Sequence, residues 1–179
     1  MEIEWTTYDP GEFYDEMISS PGNPRRAARA IANYLQKLSA RQLGRRQNAA
    51  DLAIAEMGVT FTVYSEGTNI DRTWPFDIIP RIIPLREWSR IEEGLEQRMT
   101  ALNMFIHDLY HEQKVITDGI VPKKLISGSK SFQPQCIDAS PRFNVWAHIC
   151  GSDLVRNRDG TLYVLEDNLR VPSGVSYMI

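Results

Sequence analysis

The stretch DLVRNRDGTLYVLEDN, residues 153–168, decides how this chain is read. Two runs rich in apolar residues, DLVR and TLYVLE, flank the four residues NRDG. Such runs around a glycine-closed turn are the signature of a β-hairpin. With Arg156 set opposite Thr161, Asp153 falls opposite Val164 and Glu166 lies one diagonal step further on. Side chains alternate along a strand, so the even-numbered residues 162 to 168 share a face with Asp153. The pairing predicts that Asp153, Glu166 and Asn168 converge on one patch, with diagonal neighbours about 7–8 Å apart before the side chains reach inward. Asp167 points away.

Two carboxylates brought to roughly 5 Å repel by about 3 kcal/mol at an effective dielectric of about 20. A cation or a shared proton would offset that repulsion. Two carboxylates with one amide oxygen form a hard-oxygen set suited to Mg²⁺ carrying phosphate ligands. Arg170 follows Asn168 by two residues and joins the same face if the strand continues, where it would neutralise a phosphate or carboxylate. The same side chains also read as separate surface residues on an amphipathic hairpin, and spacing alone leaves both readings open.

Upstream of the hairpin, FNVWAHIC (143–150) reads as another strand, and residues 113–135 as short pieces broken by Gly119, Pro122, Gly128 and Pro134. The strongest helix is predicted over 86–112. Its residues Trp88, Ile91, Leu95, Met99, Leu102, Ile106 and Leu109 step by 3, 4, 4, 3, 4 and 3, a core-facing stripe opposite Arg90, Glu93, Gln97 and Arg98. His107 and His111 lie four apart on this helix but lack the Glu that metalloprotease chemistry places after the first His. Polar residues near a helix end are the expected reading, and a metal-dependent hydrolase built on them is a third and weaker one. His148 reads as a strand histidine, either buried and satisfied or in contact with substrate.

Nearer the N-terminus, WPFDIIPRIIP (74–84) carries three prolines and suits extended edge structure. VTFTVY (59–64) reads as a strand. Ser39 and Gln42 form a capping-box pattern that opens a helix running to Met57, with Gly58 as its stop. Asn23-Pro24 predicts an earlier helix start, whose stripe is Ala28, Ile31, Leu35 and Leu38. Arg25, Arg26 and Arg29 on that helix, with Arg41, Arg45 and Arg46 on the next, are expected on solvated faces. Residues 1–22 read as an irregular lead-in.

The expected fold is therefore α+β: N-terminal helices packed on a mixed or antiparallel sheet that ends in the hairpin. One domain is expected over 1–179, mainly helical over 23–135 and sheet with the candidate metal site over 136–179. The chain's 179 residues are enough to bury a core without staples. Lys+Arg total 20 against 23 Asp+Glu, a net charge of -3, which argues against a nucleic-acid partner or a polybasic membrane surface. The N-terminus is acidic with no apolar core, and no run approaches the roughly 20 apolar residues of a membrane span. Cys136 and Cys150 have no CxxC spacing, so neither a disulfide framework nor a zinc ribbon is expected, and the cytoplasm is the expected location.

LEDNLRVPSG (165–174), preceded by HICGSDLVR (148–156), resembles the circularly permuted ATP-grasp family of glutathionylspermidine-synthetase-like proteins. YDEM (14–17), VTFTVY (59–64), FDIIPRIIP (76–84), EWSRIEEGLEQR (87–98) and ALNMFIHDLYHEQ (101–113) are similar to that family's N-terminal portion. The resemblance implies Asp153, Glu166 and Asn168 as Mg²⁺ ligands on the phosphates of ATP. It implies Arg170 near the transferring phosphate and Ser173-Gly174 as a tight, phosphate-proximal turn. The implied chemistry is carboxylate–amine ligation: ATP phosphorylates a carboxylate, and an amine displaces phosphate from the acyl phosphate. The adenine-clamping strands and phosphate-reaching lysines of the family lie beyond the segment seen here, so the chain is expected to be catalytically incomplete alone. The alternative is a non-catalytic module that completes a separately encoded C-terminal half, with VSYMI (175–179) as an interface strand.

Overall fold

The computed structural model describes residues 3–65, 68–172 and 174–175, with backbone alone for 61–65 and 68–71. The fold is α+β, and among the described residues the strands form three two-stranded antiparallel pairs. The chain divides into two compact units. One comprises 1–85 with 156–163 and 176–179, the other 86–155 with 164–175.

The first unit is organised by its opening residues. Asp15 accepts the N–H groups of Met17 and Ile18 on one oxygen, at 2.7 and 2.6 Å. This turns the chain into strand β1, Ile18–Ser20, which pairs with β2, Asn23–Pro24. The expected helix start at Asn23 is thus corrected. The Asn23 amide donates to Ser20 Oγ and to the Pro21 carbonyl, which closes the β1–β2 turn and holds Asn23 in strand β2. A short 3₁₀ turn, Arg26–Ala28, leads instead into α1, Arg29–Gln36. Arg25 is not a solvated residue either: its Nε donates to the Asp15 carbonyl and its guanidinium lies 4.0 Å above the Tyr14 ring.

Met17, Ile18, Ala28, Ala32, Leu35 and Leu38 form the core, with Ile3, Trp5, Ile31, Leu43 and Ile82 packed around it. Each large aliphatic side chain buried there contributes about 1.5–3 kcal/mol. The lead-in therefore supplies part of the core, and Trp5 Nε1 ties it to the Ala32 carbonyl at 3.1 Å. Helix α2, Ala40–Glu56, opens on the capping box expected of Ser39 and Gln42 and stops before Gly58 at φ +68°. Strand β3, Thr60–Ser65, pairs with β4, Thr68–Thr73, in the register Thr60↔Thr73 to Ser65↔Thr68. Residues 74–84 run without helix or strand, as their prolines require.

The second unit is built on α3, Leu85–Tyr110. The helix ends where Asp108 accepts the N–H groups of Lys114 and Val115, at 2.9 and 3.0 Å, and Gln113 turns left-handed. Two short helices follow: α4, Lys114–Thr117, and α5, Lys123–Ser127. The Tyr110 ring stacks between Phe132 and Trp146 with both centroids 5.0 Å away, and its hydroxyl accepts the Gln133 N–H.

Residues 143–150 are not the strand their composition suggests. Asn103 Oδ1 accepts two successive backbone N–H groups, from Trp146 at 2.7 Å and Ala147 at 3.0 Å. Successive strand N–H groups point to opposite sides, so one acceptor cannot take both without a bend. Phe143 and Asn144 are also left-handed, at φ +60° and +56°. Strand β5, Gly151–Arg156, begins only after this bend and pairs with β6, Leu162–Asn168.

Candidate functional site

The hairpin forms where it is expected, closed at Gly160. Asn157 N–H donates to the Thr161 carbonyl at 2.8 Å, and Gly160 N–H donates to the Asn157 carbonyl at 3.0 Å. Asp159 accepts the Thr161 N–H, and that bond, with a second from the Thr161 hydroxyl, holds its carboxyl below the usual range. Gly160 is required twice over. Its φ is +87°, and a Cβ there would stand 2.6 Å from the Tyr14 ring.

Beside the turn, Arg156 lies 4.9 Å from the Tyr14 ring centroid and donates from Nε to Glu16 at 2.9 Å. Arg81 grips the same carboxylate through two nitrogens. The Arg81 bonds, joined by those of Arg156, pull the Glu16 pKa down against the opposing effect of burial. No local spacing links residues 16, 81 and 156, so this cluster was invisible to sequence reasoning.

At the turn the strand register differs by one residue from the expected one, because Thr161 faces Asn157 and not Arg156. Along β6, Leu162 and Val164 are half-buried and Tyr163 and Leu165 are exposed, but Glu166 is exposed as well. Two outward residues in succession break the strand's alternation of faces. Past that point, Ser152 Oγ donates to Asp167 Oδ1 at 2.8 Å, so Ser152 and Asp167 share a face. Their chain neighbours Asp153, Glu166 and Asn168 therefore occupy the other face. A Cβ on Gly151, two residues before Asp153, would lie 3.8 Å from Asn168 Cβ, in agreement.

Asn168 Nδ2 donates to Glu166 Oε1 at 3.0 Å, and Asp153 is exposed. Asp167 is spent on structure: Arg98 Nε of α3 bonds it at 2.6 Å, and its side chain is only 8% exposed. Burial pushes the nearby Cys150 thiol up, and the Asp167 charge adds to that shift. Arg170 is exposed, and Val171 behind it is left-handed at φ +48°. Pro172 folds back on Gly151 so closely that a Cβ there would meet it at 2.8 Å. Gly174 has φ +80°, while Ser173 lies outside the described residues.

The histidines are placed differently from the candidate ligands. The rings of His107 and His111 stack at 3.9 Å, His111 Nδ1 contacts the His107 carbonyl, and Trp146 Nε1 donates to His107 Nδ1 at 3.4 Å. His148 is neither buried nor on a strand; it is exposed in the bend before β5. Among the described residues, no three of His, Cys, Asp or Glu gather as a metal cluster.

The profile of the circularly permuted ATP-grasp type 2 proteins matches residues 80–179. The chain belongs to this family. An uncharacterised protein of Synechocystis sp. is 46% identical over 177 residues, 99% of this chain and 37% of its own length. One from Mycobacterium leprae is 39% identical over 93% of this chain and 29% of its own length. A Frankia alni protein provisionally named glutamate–cysteine ligase 2-3 is 38% identical over 93% of this chain, which is 19% of that protein. The chain thus spans between a fifth and two-fifths of the length of these relatives. No helix among the described residues is long and apolar enough to cross a membrane.

Proposed function

We infer that this chain supplies the metal-binding edge of an ATP- and Mg²⁺-dependent carboxylate–amine ligase that works through an acyl phosphate. The observation that carries the reading is the division of labour along Glu166-Asp167-Asn168. Asp167 is bound to Arg98 and Ser152 while Asn168 donates to Glu166, which supports assigning Glu166 and Asn168, with Asp153, to the metal. Family membership and the ligase name of the Frankia relative point the same way.

The donors fit the metal chemically. Two carboxylates and an amide oxygen are hard ligands, and neither Asp153 nor Glu166 is engaged in an ion pair among the described residues. In this reading Asp153, Glu166 and Asn168 hold Mg²⁺, which when bound supplies charge neutralisation for the phosphates. The Asn168 amide restrains the Glu166 carboxylate in place. Arg170 adds a cation beside the transferring phosphate, and Ser173 and Gly174 are assigned to the binding of that phosphate. The carboxylate and amine substrates are bound by the rest of the protein, as is adenine, and residues 1–179 act as one N-terminal portion. Its setting is the cytoplasm.

The test is a calorimetric titration with Mg²⁺-ATP of this chain and of a chimera in which it replaces the matched segment of the Synechocystis relative. Binding is expected in the chimera alone, with a loss of at least tenfold in affinity for Glu166→Gln and Asp153→Asn. Chimera affinity indifferent to both substitutions would sink the metal assignment. ATP turnover by the isolated chain, lost in Glu166→Ala, would overturn its incompleteness.

A further inference from the structure

Arg98 stands on the polar face of α3, where the helical pattern expects a solvated side chain. Of Arg90, Glu93, Gln97 and Arg98 on that face, only Arg98 bonds to the hairpin among the described residues. Its Nε donates to Asp167 Oδ2 at 2.6 Å, although 46% of the side chain stays open to solvent. Holding a long, half-solvated side chain in one rotamer costs conformational entropy, and a screened ion pair returns little stability. The larger consequence of this bond is geometric.

Asp167 lies between two candidate metal ligands, Glu166 and Asn168, and Ser152 lies next to the third, Asp153. Ser152 Oγ donates to the other Asp167 oxygen, Oδ1, at 2.8 Å, so one carboxylate ties β5 and β6 to α3. Both of its oxygens are used, its side chain is 8% exposed, and all three residues belong to the second unit. Every candidate ligand is therefore the chain neighbour of one end of the Ser152–Asp167 bond. A shift of Asp167 moves the backbone that carries Glu166 and Asn168, and a shift of Ser152 moves that of Asp153. Ligands must be held to within about 0.5 Å, and groups that support a metal's ligands typically govern about 10–100-fold in its affinity.

We propose that Arg98 is a positioning residue of the metal site: through Asp167 and Ser152 it fixes the two strands from which Asp153, Glu166 and Asn168 reach the cation. The proposal rests on the reading of those three as Mg²⁺ ligands. It predicts an effect opposite in sign to that of charge alone. Arg98 is itself a cation, so by Coulomb's law its removal would tighten Mg²⁺ binding. Removal of a positioning group weakens it. A merely structural role leaves affinity unchanged wherever the protein stays folded.

The experiment is the calorimetric titration of the Synechocystis chimera with Mg²⁺-ATP, at a temperature where circular dichroism shows each variant folded. Arg98→Ala should weaken binding about tenfold, and Arg98→Lys, which keeps a donor and a charge, should recover most of the loss. Ser152→Ala removes the other bond by a smaller change and should weaken binding several-fold. Gly119→Ala, in the same unit and in open space, controls for lost stability and should bind as the unaltered chimera does. Unchanged or tighter binding in Arg98→Ala, or a loss that Arg98→Lys does not relieve, would overturn the proposal. Glu166→Gln tells the two readings apart. If it loses affinity while Arg98→Ala and Ser152→Ala do not, the metal assignment stands and the positioning role falls. If it too binds unchanged, the metal assignment itself falls. The isolated chain gives a measurement that needs neither metal nor chimera. Amide exchange at Asp153, Glu166 and Asn168 should quicken about fivefold in Arg98→Ala and not in Gly119→Ala, and equal exchange would overturn the proposal.

Discussion

Removing the Asp167 carboxylate should loosen the base of the hairpin in a way the structure makes calculable. Asp167 is 8% exposed, accepts from Ser152 Oγ at 2.8 Å and binds Arg98 Nε at 2.6 Å. A hydrogen bond to a charged group is worth about 1.5–3 kcal/mol. The Arg98 side chain is 46% exposed, which screens its share to about 1 kcal/mol or less. Asp167→Ala should therefore destabilise the chain by about 2–3 kcal/mol. Asp167→Asn keeps an oxygen for Ser152 and should cost about half as much. Urea unfolding at pH 7 measures both, and a double-mutant cycle with Arg98→Ala should return a coupling of about 0.5–1 kcal/mol. A loss below about 0.5 kcal/mol for Asp167→Ala would refute the claim that this residue fixes which way its neighbours face.

Other consequences are as direct. Gly160→Ala should cost about 2–4 kcal/mol, since the methyl would meet the Tyr14 ring, whereas Gly119→Ala, equally left-handed but in open space, should cost about 1–2 kcal/mol in the same urea assay. The Glu16 pKa is lower folded than unfolded, so its contribution is complete above the unfolded value and is lost as pH falls through the folded one. Urea midpoints taken from pH 6 down to pH 3 should drop less steeply in Glu16→Gln than in the unaltered chain. Cys150, its thiol pKa raised by burial and by Asp167, should be alkylated by iodoacetamide at pH 8 several-fold more slowly than glutathione, and Asp167→Asn should narrow the gap.

Sequence reading succeeded where the deciding physics was local. The Ser39–Gln42 cap, the stop at Gly58, the α3 helix and the Gly160 turn are all written within a few residues of where they act. It failed where a distant group takes over the backbone. FNVWAHIC has the composition of a strand, but the Asn103 amide forty residues upstream bends it. Asn23-Pro24 looks like a helix cap, yet Ser20 and Pro21 claim the Asn23 side chain. Strand β4, with Ile70 as its lone aliphatic residue, has no alternation to read and exists because β3 offers it a backbone ladder. At the hairpin, Asp153, Glu166 and Asn168 were expected on one face from a register that is wrong by one at the turn.

The clasp of Glu16 by Arg156 also sets an order of events during synthesis. The two residues are separated by 140 positions, so at about 5–20 residues per second the acid waits roughly 7–28 s for its second guanidinium. Arg81 arrives after 65 positions and is the exposed member of the pair it forms, at 66% against 4% for Arg156. The nascent chain thus has an interim partner for Glu16 that solvent can still reach. The Gly160 turn that lies against the Tyr14 ring is synthesised later still.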